Sequence, residues 1–247
     1  MTILTNKNDI QKIKVSGEII KKIFSYVGSR LVPGISTLDL DHEIEDIIRA
    51  LGGIPAFKGY KGFPASICTS VNEVVVHGIP SRETVLREGD ILSLDVGVKK
   101  EEYFTDAART FPVGEISSEA AKLVEVTKRC LEEGIKQAVA GGRVSDISNV
   151  VENIVRRENF QEVRAFVGHG TGKNLHEAPE VPNWGEKGKG PVLKEGLVLA
   201  IEPMINAGTR EIKVLSDGWT AVTIDGKLSA HFEDTIIVGQ KEAEIIT

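Results

Sequence analysis

The chain alternates between helical and strand periodicity in a recurring order. Ile10, Ile13, Ile20, Ile23, Phe24 and Val27 fall near helical spacing, which predicts a first helix capped by Asp9 and ended by Pro33-Gly34. A second helix is predicted from Leu38 to about Leu51, with Thr37 as its N-cap and Gly52-Gly53 as its stop. Residues 54–80 read as loop and short strand, with a Val-Val-Val run just before His77. Strands follow at about 90–98 and 103–112. A long helix fits 118–140, stopped by Gly141-Gly142, and another fits 146–158. Short strands and glycine-rich loops fill the rest.

The pattern repeats. VLREGDILSLDVG starts at Val85, and VLKEGLVLAIEPM starts 107 residues later at Val192. In each, an apolar strand ends on a carboxylate, Asp95 and then Glu202. The same offset relates VPGISTLDLDHEIEDII, from Val32, to VAGGRVSDISNVVENIV, from Val139. A helix signal and a strand signal at one common spacing predict two diverged helix–strand halves, about 1–115 and 116–247, within a single domain spanning 1–247. The class expected is α/β or α+β, with an approximate internal two-fold.

Composition changes this picture little. The protein has 247 residues, 41% of them hydrophobic, enough for a substantial core. A net charge of −6 gives no bulk case for nucleic-acid binding. The start, MTILTNKNDI, lacks an apolar signal region, and no apolar run approaches membrane-spanning length. Two cysteines, Cys68 and Cys130, make no disulfide framework and suit a reducing compartment, so the cytoplasm is expected.

The acids carry the chemistry. Alternation over Asp90–Val98 places Leu92, Leu94, Val96 and Val98 on one face and Ser93, Asp95 and Gly97 on the other. Centring the following turn between Lys100 and Glu101 sets Asp95 opposite Asp106. Two carboxylates that close either share a proton or hold a cation. In the second copy Glu202 takes the Asp95 position. A hairpin around Asp225-Gly226, with Asp217-Gly218 as a competing turn, brings back Glu233. Four acids converging near the two-fold axis point to bound cations, more than one.

Five histidines are present. His169 lies at a strand end in FVGHGTGKNLHEAPEVP, a loop whose glycines argue against helix, with His176 seven residues on. One imidazole among several carboxylates is a mixed N/O donor set, favouring Mn, Fe or Co over a thiolate zinc site. His77, between Val-Val-Val and Gly78-Ile79-Pro80, is placed for acid–base work or for a structural role. His42 reads as a solvated helix residue. His231, two residues before Glu233 on the same strand face, can support the acids or simply pack; packing is the expectation. GHGTGKN is neither GxGxxG nor a Walker loop, and no serine lies in GxSxG. Cys68 has no histidine signal beside it and reads as lining a core or pocket.

Taken together, VNEVVVHGIP, LSLDVGV, FTDAART, GHGTGKNLHE, AIEP and HFEDT resemble, in order and from about residue 8 to 245, the short bacterial type I methionine aminopeptidases. The resemblance implies the pita-bread fold, two pseudo-symmetric helix–strand halves around a curved antiparallel sheet. It implies that Asp95, Asp106, His169, Glu202 and Glu233 hold two divalent metal ions (Co, Mn, Fe or Zn), with Asp106 and Glu233 bridging. Glu202 would be the general base, and His77 and His176 would hold the substrate and stabilise the tetrahedral intermediate. Tyr60, Phe63, Cys68, Leu175 and Trp219 would line the methionine pocket; Phe63 and Leu175 stand where Tyr and Phe are common in some bacterial members, and both remain apolar. The implied activity is excision of the initiator methionine when the next residue is small. The implied partners are nascent N-termini near the ribosome, with no membrane and no direct nucleic-acid recognition, and a monomer is expected. No zinc-finger or basic extension precedes the matched segment, and the long insertion of type II enzymes is missing. Two rivals share the fold: an Xaa-Pro aminopeptidase or prolidase, which usually carries an extra N-terminal domain, and a non-catalytic binding protein, which would typically lose metal ligands.

Overall fold

A computed structural model describes residues 1–247. The first half contributes α1 (Lys7–Arg30), α2 (Thr37–Ala50), β1 (Ile54–Pro55), β2 (Cys68–Val71), β3 (Val74–Val76), β4 (Ile91–Lys100) and β5 (Tyr103–Pro112). Next come α3 (Ser118–Ile135), α4 (Val144–Arg157), β6 (Gln161–Glu162), β7 (Gly168–Gly170) and β8 (Glu177–Val181). The last elements are β9 (Val198–Ile201), β10 (Met204–Asn206), β11 (Ile212–Val214), β12 (Ala221–Thr223), β13 (Ser229–His231), β14 (Glu233–Ile237) and β15 (Glu244–Ile245).

Local chemistry sets the helix ends. Asn6, not Asp9, caps α1: its amide oxygen accepts from the Asp9 N–H at 2.9 Å. Ser36, not Thr37, caps α2, its hydroxyl accepting from the Asp39 N–H at 3.2 Å. In both cases a residue just upstream of the helix, in extended conformation, takes the cap, and the polar residue expected to do so lies inside the first turn. The third helix stops at Ile135 rather than 140. There Gln137 N–H turns to Gly134 C=O and Ala138 N–H to Ile135 C=O, a tightening that ends the helical ladder. Helix α4 begins two residues before the expected 146.

The 107-residue offset runs through this architecture. It relates both ends of α2 to both ends of α4, and the start of β4 to the start of β9. It also relates the isolated bridge Ser36–Val85 to the bridge Arg143–Val192. One nine-stranded antiparallel sheet crosses both halves in the order β1-β4-β5-β14-β9-β7-β8, with β2 on β4 and β15 on β14. Helices cover one face of it. Ile20, Ile23, Leu40, Ile44 and Ile48 pack with Leu92, Leu94, Val96 and Val98. In the second half Leu131, Ile135, Val144 and Ile147 pack with Leu199, Ile201 and Ile236. The opposite face of the same strands is left for the polar residues between these positions.

Two expected registers change. The β4–β5 turn is centred between Glu101 and Glu102, both with left-handed φ (49° and 70°), so Asp95 faces Ala108 and Asp106 faces Gly97. The two aspartates are diagonal neighbours on one face, not a directly opposed pair. The Asp225-Gly226 segment turns, but joins no paired strands; the competing Asp217-Gly218 turn makes the hairpin, between β11 and β12. Asp217 secures it by accepting from Trp219 N–H at 2.8 Å and Thr220 N–H at 2.9 Å, an Asx turn. Glu233 returns instead on β14, between β5 and β9.

Helix α2 also anchors the loop that precedes β2. Buried Asp41 accepts from Ser66 N–H at 2.8 Å and Ile67 N–H at 3.1 Å. Glu45 binds Lys58 at 2.6 Å and the Ser66 hydroxyl at 2.7 Å. Asp41→Ala leaves two backbone donors without partners and is expected to lower unfolding stability by about 1–3 kcal/mol. Urea denaturation checks this, and a midpoint equal to that of the parent protein would remove Asp41 from this role.

Candidate metal centre

The sheet register gathers the donors into two adjacent rows. The first runs Cys68–Asp95–Ala108–Glu233 across β2, β4, β5 and β14. The β14–β9 register pairs Asp234 with Ile201, and one residue further it sets Glu202 beyond Glu233. The second row runs Gly97–Asp106 on β4 and β5, then Thr235–Ala200–His169 on β14, β9 and β7. Thr235 joins the two segments through its hydroxyl, which accepts from Asp106 N–H at 2.9 Å and donates to Asp106 C=O at 2.8 Å. Rows two residues apart share a face. All five sequence-predicted donors therefore project into one space, and the residues between them are small: Ala108, Gly97 and Ala200.

The distances are short. One donor atom each from Asp106, His169 and Glu233 lies within 4.8 Å of the others, and all three residues are buried. His169 Nε2 is 3.4 Å from Glu202 Oε1 and 3.9 Å from Asp106 Oδ2. His169 Nδ1 lies 2.9 Å from Gly170 C=O; donating there leaves Nε2 as a lone-pair donor toward the acids. Asp95 Oδ1, Asp106 Oδ1 and Glu233 Oε1 are buried without any hydrogen-bond partner.

Electrostatics say what such orphaned oxygens need. Burial, and then the charges of neighbouring acids, push Asp95, Glu202 and Glu233 well above the usual carboxylate range. Burial pushes Asp106 up to about 7. Burial also drives His169 down to about 4, so its imidazole is neutral. A protein-only cluster of this kind holds protons. A cation reverses the balance by stabilising the ionised form of each acid. Four carboxylates and one neutral imidazole, with no thiolate, form the mixed N/O set that divalent metals take.

A cavity of about 290 Å³ opens from these donors. His77 and His176 both line it. His77 sits at φ +59° just after β3, a strained conformation for a non-glycine residue, with its ring edge-on to Phe166 at 5.1 Å and Trp219 at 6.1 Å. Burial lowers it to about 4. His176 Nδ1 is 2.9 Å from the Tyr60 hydroxyl, and its ring lies 4.2 Å from that of His169. Burial first, then the neighbouring histidines and Lys61, lower it to about 3.

Tyr60, Phe63, Cys68 and Trp219 line the same cavity. Leu175 does not: it packs behind Phe63 and Cys68 in the apolar cluster at the cavity's back. His42 is exposed, as expected. Reading of the sequence missed Phe57, Val76, Phe166 and Lys61, all lining residues. Only Phe57 left a trace, since Gly97 opposite it has no space for anything larger than hydrogen, and a Cβ there would meet the Phe57 ring at 2.5 Å. His231, expected to pack, lines the cavity and faces Glu202 at 3.8 Å.

With this geometry established, the protein's relatives are informative. Residues 11–240 match the model of metallopeptidase family M24, and the chain belongs to that family. A relative named methionine aminopeptidase, from Clostridium acetobutylicum, is 49% identical over 247 residues, covering 100% of this chain and 99% of its own. The crystal structure of methionine aminopeptidase from Thermotoga maritima superposes with a TM-score of 0.97 at 42% identity, covering 100% of this chain and 99% of that one. A prolidase from Pyrococcus furiosus shares the fold alone, with a TM-score of 0.78 at 21% identity, covering 99% of this chain and 65% of that one.

The raised acids give a pH dependence. Asp106 must lose its proton before it can serve a cation, so Mn²⁺ binding to chelator-stripped protein should tighten as pH rises through about 7 and should release protons. Calorimetry in two buffers of different ionisation enthalpy reads both quantities. Affinity that is flat across this range would remove Asp106 from the donor set.

Proposed function

We propose that this protein removes the N-terminal methionine from polypeptides whose second residue is small, by metal-dependent hydrolysis of the first peptide bond. The order of donors across the sheet carries the reading of the site. Asp95 stands on β4, Asp106 on β5, Glu233 on β14, Glu202 at the end of β9 and His169 on β7. Asp106 and Glu233, on adjacent strands, would hold the ions together with Asp95, His169 and Glu202. Mn, Fe, Co and Zn are the ions proposed. When bound, they supply Lewis acidity for the addition of water to the carbonyl and neutralise the acids.

The protein's own residues do the rest. Glu202, ionised beside a cation, takes the proton of the attacking water and passes it to the departing amine as the C–N bond breaks. His77 and His176 are neutral at working pH: desolvation lowers His77 to about 4, and His176, whose outer edge is exposed, is lowered to about 3 by desolvation of its inner edge and by His169, Lys61 and His77. The Tyr60 phenol is the better donor of its pair, so His176 Nδ1 accepts from it and Nε2–H is free for the carbonyl oxygen on which charge develops. Phe63, Cys68 and Trp219 supply the apolar wall for an unbranched thioether side chain.

The proposed setting is the cytoplasm, with a monomer acting on nascent N-termini close to the ribosome. No helix is long and apolar enough to cross a membrane. The substrate panel Met-Ala-Ser, Met-Lys-Ser, Leu-Ala-Ser and Ala-Pro-Ala, run on chelator-stripped and Mn²⁺- or Co²⁺-restored protein, tests the reading. Metal-dependent cleavage of Met-Ala-Ser alone is expected. Cleavage of Ala-Pro-Ala would transfer the site to proline-specific chemistry, and silence with metal bound would make the fold a binding protein.

Two substitutions assign the roles. Glu202→Ala should abolish turnover with the circular dichroism spectrum intact; substantial residual turnover would remove Glu202 as the base. His77→Ala should lower kcat by about 10²-fold or more. Full activity in that variant would leave His77 a structural residue.

A further inference from the structure

His231 is a buried imidazole that this reaction leaves unused. It ends β13, two residues before Glu233, and is 2% exposed. Its backbone is held tightly. The N–H donates to Thr110 Oγ1 at 2.9 Å and to Ser93 Oγ at 3.2 Å, and the carbonyl oxygen accepts from Thr110 Oγ1 at 2.8 Å. Ser93 and Thr110 face each other across β4 and β5, with their hydroxyls 2.8 Å apart. The sheet thus fixes where the ring can point, and the ring lines the cavity.

Its Nε2 is buried and has no hydrogen-bond partner. The polar atom it faces is Glu202 Oε2, at 3.8 Å. The other oxygen of the same carboxylate, Oε1, lies 3.4 Å from His169 Nε2. Glu202 therefore stands between two imidazoles, with one oxygen toward each, and its backbone carbonyl accepts from Asn183 Nδ2 at 3.0 Å. An ionised carboxylate can only accept, so the nitrogen facing it must carry the proton.

We propose that His231 is a positioning residue that donates from Nε2–H to Glu202 Oε2, so that Oε1 is the oxygen presented beside His169. The role rests on the metal-centre reading given above. A ligand so held offers one fixed oxygen to the ion and keeps the other in a defined hydrogen bond, and removing such an outer partner weakens metal binding by roughly 10–100-fold.

The test compares His231→Leu, which removes the donor, with His231→Gln, whose amide can still donate. Calorimetric Mn²⁺ titration and thermal melting are read for both and for the parent protein. The expected result is a Kd raised by roughly 10–100-fold in His231→Leu, with affinity largely restored in His231→Gln. An unchanged Kd in a folded His231→Leu overturns the proposal. Equal loss in both folded variants also overturns it, and makes the imidazole itself a ligand. A parent protein that binds no Mn²⁺ fails the metal-centre reading instead. A measurement without substitution stands beside these: ¹⁵N spectra of the Zn²⁺-loaded protein should show His231 as the Nε2-protonated tautomer, and an Nδ1-protonated ring would overturn the donor role whatever the variants do.

Discussion

Mutual repulsion among four carboxylates, Asp106 and Glu233 buried and Asp95 and Glu202 half-buried, is the constraint around which this molecule is arranged. Asp95, Asp106, Glu202 and Glu233 occupy two adjacent rows on one face of one sheet, and burial raises the pKa of every one. No lysine or arginine forms an ion pair with any of them; the groups that face them are the neutral His169 and His231 imidazoles. Arg109 comes close, but its guanidinium is taken by Asp234 at 2.6 Å and by backbone carbonyls. Such a cluster is tolerable protonated or cation-bound, and a mixed N/O donor set makes the second state available. The rest follows from holding these groups still. Helices load the opposite face with aliphatic side chains, and Gly97, Ala108 and Ala200 keep the donor face open between the acids.

The same low-dielectric setting acts oppositely on acids and imidazoles. It raises the acids and lowers His77, His169, His176 and His231 to between about 3 and about 4. The histidines therefore enter as neutral rings with one donor and one acceptor nitrogen each, and local partners decide which is which. Gly170 C=O does this for His169, and the Tyr60 hydroxyl for His176. Ionisable charge is thus left to the acids, and directional hydrogen bonding to the rings. One environment yields two kinds of polar group.

Much of this was legible in the sequence because two periodicities carry it. Period-two alternation identified the face of Asp95, and the 107-residue offset identified Glu202 as its counterpart. What failed depended on turns. Glu101 and Glu102 adopt left-handed φ without being glycine or asparagine, so the polar stretch marked a turn but not its centre, which was misplaced by one residue. Asp225-Gly226 gave a strong hairpin signal that tertiary pairing overrode, since β12 lies between β11 and β3. Both aspartates still reached the site because a register shift of two residues preserves the face. Apolar lining residues such as Phe166 were illegible for a different reason: an aromatic in a cavity wall and one in a core have the same sequence pattern. His231 was left between packing and support because a buried histidine at a strand end says nothing about what its ring faces until the neighbouring strand is in place.

The donor set also explains how two similar halves become one protein. Asp95 and Asp106 come from the first half, and His169, Glu202 and Glu233 from the second. The sheet passes between halves at the β5–β14 seam, where only Ala108–Glu233 and Ala107–Asp234 are in register. Side chains extend this short ladder: the Thr235 hydroxyl to both backbone groups of Asp106, and Arg109 to Asp234 and to the Glu233 carbonyl. Asp106 and Glu233 flank the same seam. A cation held between them, as proposed, would add a link across a seam with two registered residue pairs. Because both halves supply donors, a bound ion would stabilise the folded state by an amount set by its concentration relative to its Kd. The acids that are costly to bury without a cation are the groups through which a cation would link the two sides of this seam.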